Sequence, residues 1–153
     1  MPLRDRLSAA LKDAMKSREA DRTSTLRLIN AAIKDRDIAL RGEGGSEDGV
    51  PDTEIMAILG KMVKQRQESA RIYEEGGRLE LAEKELAEVR VIEEFLPRQL
   101  SGDEVAAAIA AAIAETGATG IRDMGRVMAA LKARHTGQMD FGAVGPMVKD
   151  RLG

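Results

Sequence analysis

The side chains able to do chemistry are few, and most of them lie on one stretch. Residues Lys61 to Ser101 read KMVKQRQESARIYEEGGRLELAEKELAEVRVIEEFLPRQLS. Glu85 and Glu88 are three residues apart, which on a helix puts two carboxylates on one face. Such a pair could serve as general acid and base, or hold a divalent cation. The plainer alternative is ion pairing along and between helices, of the kind Glu80 and Lys84 could make, in a chain that is 33% charged. These two glutamates are the only candidate catalytic residues, and neither a metal nor an organic cofactor is expected. Lys61, Lys64 and Arg71 stand at i, i+3 and i+10, again one helical face. With Arg27, Lys34 and Arg66 they make a cationic set that could meet a phosphate backbone, since sequence-independent affinity for nucleic acid comes chiefly from such cations. Interleaved glutamates and the scarcity of aromatics to stack bases favour a solvated, salt-bridged face instead.

Other reactive types are thin. Tyr73 could exchange a proton, but a tyrosine just before Gly76-Gly77 also suits the closing of a helical hairpin. His135 is the sole histidine; at a helix C-terminus its imidazolium would favour the dipole. There is no cysteine, so disulfides, thiolate metal sites and cysteine nucleophiles are excluded. Met124, Met128, Met139 and Met147 read as core filling.

The elements that must position these groups are helices. Apolar residues recur at three-and-four spacing in every periodic segment, and 2% aromatic content suits a shallow core of aliphatic side chains. The spacing predicts a helix from Pro2, as its first residue, to about Ser17. A second begins with Thr23 or Ser24 as N-cap and carries Leu26, Ile29, Ile33 and Leu40 inward. The glycine-rich acidic run Gly42 to Asp52 is a flexible connector; it lacks the lysine and hydroxyl of a phosphate loop. A third helix, capped by Asp52, buries Ile55, Leu59, Met62 and Tyr73. After Gly76-Gly77 a fourth turns back beside it, with Leu79, Ala82, Leu86, Val89 and Leu96 inward, and ends before Pro97. Ser101-Gly-Asp-Glu104 is a capping box opening a fifth helix. A sixth follows from about Arg122 to Arg134, and Asp140 caps the last, where Pro146 marks a first turn or a kink. The fold expected is all-α: a bundle of about four helices over residues 1–97, and a three-helix domain over 98–153.

Charge is unevenly spread along the chain, although the net charge is only −2. Residues 1–41 hold ten Lys/Arg against six Asp/Glu, whereas residues 42–60 hold five acids and no base. Over residues 99–153, Arg122, Arg126, Lys132, Arg134 and Lys149 are five of the six cations, with Arg122 and Arg126 as i,i+4 neighbours, and Gly125 would let a partner backbone come close there. No apolar run approaches the roughly 20 residues of a membrane span, and the N-terminus lacks the apolar core of a signal peptide; a cytoplasmic setting without membrane contact is the expectation.

The Lys61–Ser101 stretch resembles the signature of the YqeY family, within the wider GatB/YqeY group. A second block, DMGRVMAALKARHTGQMDFGAVGPMVKDRL (Asp123 to Leu152), is similar to the tail domain shared by that family and the GatB subunit of the tRNA-dependent amidotransferase. With LRLINAAIKD (Leu26 to Asp35) the likeness covers nearly the whole chain. The resemblance implies a bacterial protein and a role in tRNA binding, or one accessory to tRNA-dependent amidation. Lys61, Lys64, Arg122, Arg126 and Arg134 would then contact phosphates. Positions matching the GatB tail best are Gly125, Val127, Met128, Gly137, Val144 and Val148, mostly small or apolar, so the tail fold carries over more than the contacts. The label of carbon–nitrogen ligase with glutamine as amido donor would follow from the shared tail, because no residues here perform that reaction. A protein–protein adaptor is the alternative, and tRNA or a protein partner is expected accordingly.

Overall fold

The computed structural model describes residues 2–45 and 49–153. Among them are seven α-helices and no strand, so the protein is all-α. The chain divides into two compact units, Met1–Leu96 and Pro97–Gly153.

The first unit holds α1 (Leu3–Lys16), α2 (Ala20–Gly42), α3 (Asp52–Glu75) and α4 (Leu79–Glu93). Each contributes an apolar stripe to one core: Leu3 and Leu7 from α1, Leu26 and Ile29 from α2, Leu59 from α3, Ile92 from α4. Burial of one such aliphatic side chain stabilises by about 1.5–3 kcal/mol. The helix α3 reverses into α4 through Gly77, at φ +73, where Arg78 N–H donates to the Tyr73 carbonyl at 2.7 Å. A left-handed residue there costs glycine nothing.

Several expected boundaries shift. Pro2 precedes the first helix as its N-cap, and α2 starts at Ala20, so Thr23 and Ser24 do not cap it. The chain between α1 and α2 closes tightly through Arg18 at φ +56, with Glu19 N–H donating to the Ala14 carbonyl. Thr23 and Thr25 are consequently inside α2 and buried, and the Thr25 hydroxyl donates to the Asp21 carbonyl. Asp52 is the first residue of α3 and not its cap; its carboxylate accepts from Leu3 N–H instead. Leu79 is 66% exposed, outside the expected stripe, because it opens α4 at the hairpin tip where nothing covers it. Tyr73 is only half-buried.

The expected connector is less free than its composition suggests. Residues 46–48 fall outside the described residues, but Val50 is buried in the core. Arg4 donates both terminal nitrogens to the Asp37 carboxylate at 2.9 Å, and the same carboxylate accepts from Val50 N–H at 2.9 Å. Gly49 passes over this pair at φ +85, and a Cβ on it would lie 2.7 Å from Arg4 Nη2 and Asp37 Oδ1. The far end of the connector is pinned.

The second unit holds α5 (Gly102–Thr116), a 3-10 turn (Ile121–Asp123), α6 (Met124–His135) and α7 (Phe141–Leu152). Its core is built from Ile109, Ala112, Val127, Leu131, Val144 and Val148. Both sides of the capping box form at Ser101 and Glu104, and Asp140 accepts from Gly142 N–H at the start of α7. Pro146 lies inside α7, beyond its first turn. Met139 is buried, whereas Met147 is 48% exposed and fills no core. No single helix is long and apolar enough to cross a membrane among the described residues.

Candidate functional site

The α3–α4 hairpin brings the ionic stretch together in an antiparallel register. Arg66 Nε donates to Glu88 Oε2 at 3.1 Å, with the two side chains only 15% and 19% exposed. Arg66 also donates to the Met62 carbonyl at 3.2 Å. The small residues Ala70 and Ala82 are buried on α3 and α4, which lets the two backbones approach. Glu88 is therefore committed as the acceptor of an interhelical ion pair. Glu85 is half-buried one turn away and forms no ion pair or hydrogen bond with a described residue. A proton-transfer pair needs two carboxylates facing a common substrate, and here one of them faces an arginine. The Glu80–Lys84 pair does not form among the described residues; along α4, Glu83 takes Arg90 instead.

Lys61, Lys64 and Arg71 all stand on the outer side of α3. Arg71 is occupied there by Glu68 one turn before it and Glu75 one turn after, which raise its pKa. Lys61 has no acidic partner among the described residues. Arg27 and Lys34 are likewise exposed, on α2.

In the second unit the three nominated arginines differ. Arg122 is exposed in the 3-10 turn and has no acidic partner among the described residues. Arg126 donates to Asp123 and to the Thr116 carbonyl, stapling the start of α6 to the end of α5. The Asp123 carboxyl sits below its ordinary range because it accepts from Thr119 N–H and pairs with Arg126. Arg134 donates to Glu115 on α5. Gly125 is exposed, and a Cβ there would meet nothing within 4 Å, so no close approach inside the unit requires glycine. The five nominated cations thus fall two and three into separate units. His135 ends α6 half-buried, its Nδ1 3.2 Å from Gln138 Oε1. Among the described residues no three His, Cys, Asp or Glu side chains cluster closely enough to hold a metal ion.

One arrangement escapes sequence reasoning. The segment before α5 is fastened to the loop between α6 and α7: Leu100 N–H donates to the Gln138 carbonyl at 2.9 Å, and Gln138 Nε2 donates to the Arg98 carbonyl at 3.2 Å. Gln99 Nε2 donates to the Gly137 carbonyl, and Arg98 forks onto Glu104 with both bonds at 2.8 Å. That fork and the Ser101 N–H bond hold the Glu104 carboxyl at about 2. The available signal is the pair of strings LPRQLS and HTGQM, whose glutamines have no helical role. Their role is to join backbone to backbone.

Comparison with known proteins follows the same outline. A family model described as Yqey-like protein matches residues 4–152. An uncharacterised protein of Schizosaccharomyces pombe is 31% identical over 91 residues, 60% of this chain and 69% of that protein. Altered inheritance of mitochondria protein 41 of Clavispora lusitaniae is 36% identical over 90 residues, 59% of this chain and 49% of that protein. The chain thus spans about half the length of this second relative. The family match begins at α1 and ends at the last turn of α7, and the chain belongs to the YqeY family.

Proposed function

We propose that this protein binds tRNA, alone or as an accessory to tRNA-dependent amidation, and does not itself catalyse amide transfer. The observation that carries the reading is Arg122: an exposed cation, without an acidic partner among the described residues, beside the block Asp123 to Leu152 that resembles the GatB tail. Lys61 supports it from the first unit, on the outer face of α3. Arg126 and Arg134 contribute less, because each must give up an internal partner before it meets a phosphate. The commitment of Glu88 to Arg66 counts against an amidotransferase chemistry built on Glu85 and Glu88. The test is fluorescence anisotropy of labelled bulk tRNA over a salt series, with duplex DNA as control. Saturable binding, tighter than for DNA and falling steeply with salt, is expected, with Arg122→Glu weakening it several-fold. No binding at low salt overturns the reading.

A second reading, the protein–protein adaptor, is favoured by the hairpin tip, where Ile72 and Leu79 are 56% and 66% exposed beside the Gly76-Gly77 turn. Replacing both with serine would leave tRNA binding intact and abolish capture of a partner if that reading holds.

A further inference from the structure

We infer that the outward face of α2 docks an acidic amphipathic helix of a partner protein; the inference goes beyond the tRNA reading and does not depend on it. The face is defined by what α2 turns the other way. Leu26, Ile29 and Ile33 are buried in the core of the first unit. Arg36 pairs with Glu43 and Glu54, and Asp37 is held by Arg4 and by Val50 N–H. What remains outside is ordered. Arg27, Lys34 and Arg41 are exposed and follow one another at intervals of seven residues, which on a helix is nearly a straight row. Beside that row run Ser24, Ala31 and Ile38 at the same interval, with Leu28 beyond them. Leu28 and Ile38 are 45% and 57% exposed. Neither Arg27 nor Lys34 has an acidic partner among the described residues, and Asp35 is the one exposed acid between Ser24 and Arg41.

This pattern selects the occupant. Seven residues is the interval at which two packed helices present flanking side chains to each other. Glutamates at that interval on a partner would meet Arg27, Lys34 and Arg41 along about 21 Å of α2. Leu28, Ala31 and Ile38 give the same helix an apolar strip to cover. A phosphate backbone would take the cations and leave Leu28 and Ile38 in water. A lipid surface calls for a wider apolar face than these two bulky side chains make. A second copy of α2 laid antiparallel brings the cationic row against itself, and like charges oppose that pairing. Charge complementarity together with the apolar strip points to an acidic helix.

The experiment uses the full-length protein and two labelled synthetic helices of about five turns. Both carry a leucine stripe; glutamates flank it in one and lysines in the other. The glutamate peptide is expected to bind at least about tenfold more tightly than the lysine peptide at low salt, and to lose that advantage as salt rises. Amide shifts should move along α2 at Arg27, Ala31, Lys34 and Ile38. Arg27→Glu with Lys34→Glu should reverse the preference, and the gain of the lysine peptide shows in the same measurement that the double variant is folded. Leu28→Ser with Ile38→Ser should weaken the glutamate peptide several-fold and leave its salt dependence in place. Equal binding of the two peptides, or shifts confined to the hairpin tip or to the second unit, overturns the inference. So does a double variant that keeps the original preference, or one that gains no lysine peptide while its helical circular dichroism is unchanged. An RNA duplex or a phosphatidylglycerol vesicle that binds the unaltered protein and not the double variant, with neither peptide bound, also overturns it and gives the face to phosphate.

Discussion

The two units use their charges differently. In the first, arginines tie together elements far apart in sequence: Arg4 to Asp37, Arg22 to Glu94, Arg36 to Glu54, Arg66 to Glu88. In the second, Arg134 on α6 does reach Glu115 on α5, but the fastening between the segment before α5 and the α6–α7 loop is made by backbone groups and two glutamines, and Arg98 and Arg126 pair with acids three to six residues away. A cation count therefore means different things in the two. The local excess of positive charge over residues 1–41 is partly consumed by acids beyond that segment, Glu43, Glu54 and Glu94, so it is a poor guide to a binding surface. Arg122 has no such duty among the described residues, and that makes it the better probe of function.

Core truncation gives the largest expected effect and tests whether the units are separate in stability. Leu59→Ala and Leu131→Ala each remove a side chain at most 1% exposed and should cost about 2–5 kcal/mol. Hydrogen exchange should lose protection in α1–α4 for the first and in α5–α7 for the second. Equal loss in both units from either change would break the comparison.

Gly49→Ala should come next. It places a Cβ against the Arg4–Asp37 pair at a positive φ, and about 1–3 kcal/mol of destabilisation is expected in the first unit. Thermal melts unchanged within about 1 °C would show that the pin is dispensable.

The smallest effect is in acid. The Asp37 carboxyl is held below its ordinary 3.8, first by the Arg4 hydrogen bond and then by Val50 N–H. Its folded value is depressed, so its stabilisation is complete above the unfolded value and is lost as pH falls through the folded one. Asp37→Asn should flatten the loss of protection below about pH 4 in α1–α4 and not in α5–α7. Glu104→Gln should do the converse, across the window between its ordinary 4.5 and about 2. If either substitution flattened both units alike, acid sensitivity would not be local.

Much of the fold is legible in the sequence because local physics suffices for it. The apolar spacing locates the helices, the Ser101–Glu104 box starts α5 and Asp140 starts α7, and glycines at positive φ follow the ends of α3 (Gly77) and α5 (Gly117). The start of α2 is not legible, because Thr23 and Ser24 are good caps that tertiary packing overrides, drawing Thr23 and Thr25 into the core. Residue type places Met147 and Leu79 inward, although an end position or an outer face leaves them exposed.

The candidate site is far less legible. By itself the sequence determined that the chain is helical, that it has no cysteine and a single histidine, and that most of its candidate groups are carboxylates and cations. Which cation meets which carboxylate was decided only by tertiary structure. Glu88 faces Arg66 across the hairpin, Val50 fills the core beneath a glycine, and Gln138 receives a segment about forty residues earlier. The reason is physical: helix periodicity is a property of neighbours three and four apart, whereas the choice of ion-pair and hydrogen-bond partners depends on which helix faces pack together.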